Sequence, residues 1–121
     1  MKGIFVNSAK VDYAGMLVDG TKIIETRTRR MLDCLCGERV AIIRTGKGKP
    51  MVIGYVNILV GLSMSPEWLN EHRHWTKIPK GDKYDSRQTN KICYMVSEPQ
   101  KCEPYPLPEN SIRHGRTWVE F

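Results

Sequence analysis

Six short runs rich in Ile, Val and Thr, each closed by Gly, Pro or a charged turn, set the limits on how this chain folds. They fall at Met1–Asn7, Lys22–Thr28, Glu38–Arg44, Met51–Gly61, Ile92–Val96 and Thr117–Phe121. β-branched stretches of this length, bounded by turn residues, read as strands. The polar turn Thr45–Pro50 makes Arg39–Arg44 and Met51–Gly61 an antiparallel pair. Pro99, Pro104, Pro106 and Pro108 keep the segment after Ile92–Val96 extended, because proline cannot continue a helix.

Two places carry helix signals. Ser8 is a good N-cap for Ala9–Asp19, where Val11, Ala14, Leu17 and Val18 recur at helical spacing and Gly20 supplies the stop. Ser65-Pro66-Glu67 is a helix start with proline in the first turn, opening a helix with Trp68, Leu69 and His72 that ends before Pro79. Lys80–Asn90 is polar and reads as a loop. The expectation is a mainly β, α+β domain: a small β-barrel of about six strands with two helices at its ends.

At 121 residues the chain is one domain, 1–121, long enough to bury a real core. No apolar run approaches the length needed to span a bilayer, so no membrane partner is expected. Met1–Val6 lacks the apolar core of a secretory signal, which makes a cytoplasmic location the expectation. There Cys34, Cys36, Cys93 and Cys102 would be reduced thiols. Neither Cys34-x-Cys36 nor His72-x-His74 has convincing metal-ligand spacing, so neither metal nor cofactor is expected. With 19 Lys plus Arg against 13 Asp plus Glu, the net charge of +6 favours anionic ligands.

The densest polar cluster interrupts the Ile-rich second run. Lys22, Glu25 and Arg27 lie within six positions, and charges in a half-buried strand must be paired or used. Glu25, Arg27 and Arg29 share one strand face, whereas Lys22 joins them only if the strand starts after it or bulges between them. A Glu25–Arg27 clamp at the mouth of the fold is the structural alternative. Arg29, Arg44 and the flanking Arg30, Lys47 and Lys49 add candidate phosphate contacts, with Arg113, His114 and Arg116 beside the last strand. Trp75, Tyr84 and Tyr105 are candidates for stacking on a base. Glu71, His72 and His74 offer groups for acid or base work, and Asp82, Lys83 and Asp85 read as solvated loop charges.

Helix, Gly20-x-Lys22-x-x-Glu25-x-Arg27, then Gly37-Glu38-Arg39-Val40-Ala41-Ile42 resembles the ASCH domain of the PUA-like superfamily. Val52-Ile53-Gly54-Tyr55-Val56 and Gly115-Arg116-Thr117-Trp118 are similar to its later strands; Met64–Asn90 carries no likeness. The resemblance implies a PUA-like barrel with a cleft beside the first helix, binding RNA, a nucleotide or a nucleoside. Lys22, Glu25, Arg27, Arg29, Arg44 and Trp75 are then the ligand-binding candidates.

One branch of that family hydrolyses N4-acylated cytidines with a Lys, a Thr nucleophile three residues later and a downstream Glu; other members are reported nucleases. Here Lys22 is kept and Glu25 stands where the Thr would be. If the protein is an enzyme, Lys22 and Glu25 are the catalytic candidates, for an acylated nucleoside (N4-acetylcytidine type) or in a metal-assisted ribonuclease. The first expectation is binding.

Overall fold

A computed structural model describes all 121 residues, as a mixed α+β fold built on one seven-stranded sheet. In chain order the elements are β1 (Lys2–Asn7), α1 (Tyr13–Asp19), β2 (Ile24–Arg27), a 3-10 turn (Asp33–Leu35), β3 (Arg39–Thr45) and β4 (Met51–Met64). Then follow α2 (Pro66–Glu71), α3 (Arg73–Thr76), β5 (Lys91–Pro106), β6 (Ile112–His114) and β7 (Trp118–Glu120). The strands lie in the order β2-β5-β4-β3-β1-β7-β6. No helix is long and apolar enough to cross a membrane.

The expected closed barrel is corrected to an open sheet whose ends are β2 and β6. The cause lies in β1, which is an interior strand, parallel to β3 on one side and antiparallel to β7 on the other. That pairing carries β6 to one margin and leaves β2, four residues long, at the other. Short edge strands offer little template for pairing with another chain.

The side chains of β1 follow the two-residue period. Ile4 and Val6 join the main core with Ala14, Leu17, Val40, Ile42 and Val56, while Phe5 turns to a second cluster with Ala41, Ile43, Val52 and Val119. A third cluster of Ile24, Leu69 and Cys93 seats α2 against β2 and β5.

The helices are three and short, not two. α1 starts four residues later than Ser8 would have it: the Asp12 carboxylate accepts from Gly15 N–H at 3.1 Å and caps the helix. Ser8 is instead fully buried, and its hydroxyl accepts from Ala14 N–H. The Ser65 cap holds as expected, its hydroxyl accepting from Trp68 N–H at 3.1 Å. The second helix breaks at His72, which leaves helical geometry (φ −119°, ψ 30°) and starts the single turn of α3.

β4 and β5 are much longer than their apolar runs, and pair through several register shifts. Bulges of this kind bend a sheet. The bend is tight enough at Gly54 that a Cβ there would lie 2.2 Å from the Gln100 carbonyl oxygen. Pro106 sits within this strand, opposite Met51, rather than beyond it. All four cysteines are unpaired.

Candidate functional site

A cavity of about 330 Å³ opens between β1 and the edge strand β2. Phe5, Val6 and Asn7 form one wall, and Glu25, Thr26, Arg27 and Thr28 the other. Tyr13 of α1, Lys22, Ile78, Tyr84, Lys91 and Arg116 also line it.

Lys22 reaches this space because β2 begins at Ile24, two residues after it. Gly20 ends α1 in the left-handed region (φ 87°), a conformation glycine adopts without strain, and Lys22 N–H then donates back to Met16 O at 3.0 Å. The turn frees Lys22 from strand alternation. Its side chain is 1% exposed, with Nζ donating to the Thr76 carbonyl, 3.8 Å from Glu25 Oε1 and 5.0 Å from the Tyr13 ring centroid. Burial lowers its pKa from the ordinary lysine value; Glu25 opposes that shift and Arg27 adds to it.

Glu25 and Arg27 alternate correctly along β2 and meet in a two-point ion pair, with Nε at 3.1 Å and Nη2 at 2.8 Å from Glu25 Oε2. Arg27 Nη2 also donates to Phe5 O at 2.8 Å. The three residues therefore converge, as the spacing allowed, and they also satisfy much of one another.

Two buried polar residues of the lining have no side-chain partner. The Tyr13 hydroxyl is buried and makes no hydrogen bond. Its pKa is pushed up, first by burial and then by the nearby Asp82 and Glu25 carboxylates. Lys91 opens β5 and is buried, yet its ammonium takes part in no hydrogen bond or ion pair among those the protein forms. Burial lowers its pKa, against the attraction of Asp85. No local signal marks it, since a lysine at the start of a strand reads as a solvated terminus.

The other candidates lie elsewhere. Arg44 is held in a two-point pair with Asp12 at 3.1 and 2.8 Å, bordering a separate groove beside α1. Arg29 is exposed and does not line the cavity. Trp75 is also outside it, in an aromatic cluster with Trp68, His72 and His74 on α2 and α3. His72 Nδ1 is engaged with Trp68 O at 2.6 Å, and Trp75 at the edge of the cluster is exposed. Tyr105 meets Tyr55 hydroxyl to hydroxyl at 2.9 Å.

Of the aromatic candidates, Tyr84 is the one that lines the cavity, edge-on to Tyr13 with ring centroids 6.0 Å apart. It is carried there by the 79–90 loop. Asp85 fastens that loop through a two-point pair with Arg73 (3.1 Å each) and is largely buried, unlike the solvated charge expected.

No sequence-family model matches this chain, and no curated protein matches it. Solved structures do. The crystal structure of ASCH from Zymomonas mobilis superposes with a TM-score of 0.69 at 17% identity, covering 87% of this chain and 73% of that one. A serine-to-alanine variant of that protein gives 0.69 at 20% identity over 86% and 73%, and a tyrosine-to-phenylalanine variant 0.70 at 20% over 88% and 77%. Identities at this level speak to chain path rather than to chemistry. The architecture that holds the cavity is the ASCH fold.

Proposed function

We propose that this protein binds RNA or a nucleotide by taking one nucleoside-sized unit into the cavity between β1 and β2. The observation that carries the reading is the meeting of Lys22, Glu25 and Arg27 on a space of about 330 Å³. Small-molecule sites start at about 300 Å³ and combine an apolar lining with a few fixed polar groups. Phe5, Val6, Ile78 and the Tyr13 and Tyr84 rings supply the apolar part. Glu25 is the only carboxylate in the lining, an acceptor for an exocyclic amine, among four cationic side chains that suit phosphate oxygens.

Titration of short single-stranded RNA and of mononucleotides at two salt concentrations tests the reading. Expected is saturable binding that weakens with salt, with a log–log slope of about −0.7 for each phosphate neutralised. Glu25→Gln, which keeps the side-chain shape, should weaken it. Binding indifferent to both salt and this substitution would overturn the proposal.

Hydrolysis of an acylated nucleoside is the second reading, and one observation favours it. Thr26 borders the cavity despite alternating away from Glu25 along the strand, and buried Lys22 borders the same space. Turnover of N4-acetylcytidine that disappears in Lys22→Ala and Thr26→Val would support it. Metal-assisted RNA cleavage gains no such support, since no group of three or more His, Cys, Asp or Glu side chains gathers to hold a cation.

A further inference from the structure

The cavity's cations divide into two kinds. Lys22 donates to Thr76 O and faces Glu25, and Arg27 spends three of its donor contacts on Glu25 and Phe5 O. These are wall groups first. Lys91 and Arg116 are different: both line the cavity, and neither side chain has a hydrogen-bonding or ionic partner among those the protein forms. Lys91 is only 9% exposed.

An ammonium on a residue this far buried keeps little of its water, so an acceptor brought to it is favoured. The Tyr13 hydroxyl repeats the pattern in the same cavity: it is sealed with no partner in hydrogen-bonding geometry, while the Asp82 carboxylate faces it closely enough to raise its pKa. It is also the only side-chain polar atom both sealed and unpartnered. The Lys91 ammonium, equally unpartnered, therefore keeps some opening, and the large space it borders is this cavity. Every unmet group named here can donate a hydrogen bond. Their complement is a guest moiety made of acceptors and carrying negative charge.

We propose that Lys91, Tyr13 and Arg116 form an anion subsite for a terminal phosphomonoester, so that the cavity prefers a phosphorylated nucleotide to the bare nucleoside. This rests on the nucleotide reading above and adds to it which residues meet the phosphate. A terminal phosphate offers three oxygens and close to two charges at neutral pH. That matches a lysine, a tyrosine and an arginine better than does the single charge of an internal phosphodiester. The phosphate belongs either to a free nucleoside monophosphate or to the end of an RNA strand.

The groups facing Lys91 agree with this assignment. Asp85 is the carboxylate that most favours its charge, but both its oxygens are taken by Arg73. Glu25 is taken by Arg27 and Lys22. Arg87 adds repulsion from the loop, and Cys93, buried on the same strand, has its thiol pKa raised to about 11, so it is neutral. No anion of the protein is free to neutralise Lys91.

Calorimetric titration of the full chain with the four common ribonucleoside monophosphates, their parent nucleosides and inorganic phosphate tests the subsite. A short oligoribonucleotide with and without a 5′-phosphate separates the two sources. Wild type should hold the phosphorylated partner of a pair at least about tenfold tighter. Lys91→Met, which keeps the length of the side chain, should reduce that preference to within about twofold. Arg116→Gln, at an exposed position that does not threaten folding, should reduce it in part.

Equal affinity for nucleoside and monophosphate in wild type would overturn the subsite and leave the nucleotide reading standing. So would a preference that survives both substitutions. Failure of every nucleoside, nucleotide and oligonucleotide to bind would overturn both.

Discussion

Arg27 Nη2 donates to the Phe5 carbonyl oxygen at 2.8 Å, so a side chain, not a backbone ladder, ties the edge strand β2 to the interior strand β1. The same nitrogen lies 2.8 Å from Glu25 Oε2. One guanidinium thus spans the gap between these two strands, and the cavity lies beside it. Arg27→Ala leaves Glu25 largely buried without its main partner. Denaturant unfolding should show a loss of about 3 kcal/mol or more, in the range for breaking a buried pair. The double variant Arg27→Met with Glu25→Met should recover most of it. A loss below ~1 kcal/mol for the single variant would mean that the bridge is not holding the seam.

The unliganded protein should become more stable as pH rises above neutral. Burial lowers the folded-state pKa of Lys91 and of Lys22 below the usual 10.5. Between each folded value and 10.5 the unfolded chain binds more protons, so the unfolding free energy climbs with pH. Above 10 the raised pKa of Tyr13 acts in the opposite sense. Urea titrations of wild type and Lys91→Met at pH 7 and pH 9.5 isolate the lysine. The advantage of the Met variant at pH 7 should shrink at pH 9.5; an unchanged difference would show that the folded protein holds that proton normally.

Asp85 sets an acid limit on the 79–90 loop. Desolvation pushes its carboxyl up, but hydrogen bonds from Arg73 and from the Gly81 and Ser86 N–H groups outweigh it and hold the pKa below the usual carboxylate range. Its contribution is therefore present above the unfolded value of 3.8 and is lost as pH falls through the lower, folded value. Asp85→Asn should loosen the loop at neutral pH, seen as faster proteolytic nicking between residues 79 and 90. It should also flatten the decline in stability below about pH 4.

Gly54→Ala tests the bend of the long hairpin. The new methyl group would lie 2.2 Å from Gln100 O and under 3 Å from the Val18 side chain, so β5 and α1 both have to move. Overpacking of this kind costs about 1–3 kcal/mol, and contact with rigid backbone argues for the upper end. Gly48→Ala, with open space around it but a φ of 72°, should cost about 1 kcal/mol from its left-handed backbone alone.

The parts legible in the sequence are those governed by near neighbours. Glu25 and Arg27, two apart in an Ile-rich run, had to share a face, and they do. Ser65 ahead of Pro66 marked the second helix because a cap acts over three residues. The ASCH likeness came from the same local segments, and the solved structures agree with it in fold.

What the sequence hid depends on pairing across the chain. Nothing in Met1–Asn7 says that β1 will lie parallel to β3, and that single choice turns the expected barrel into an open sheet. Arg44 looked like a free phosphate contact until Asp12, 32 residues away, claimed it. Trp75 lies outside the cavity because the chain breaks at His72 and turns it toward Trp68, a break that no Gly or Pro announces. Lys91 was overlooked because burial at a strand's first residue comes from the loop laid over it.

The cavity takes Phe5–Asn7 from β1 and Arg116 from the turn before β7, and β7 itself pairs with the start of β1. A guest there would grip segments from both extremities of the polypeptide at once, so occupancy and global unfolding must be thermodynamically linked. At a hundred times its dissociation constant such a guest would add about 2.7 kcal/mol to the whole domain. A melting-temperature screen of small metabolites would thus identify the natural ligand with no prior guess at its chemistry.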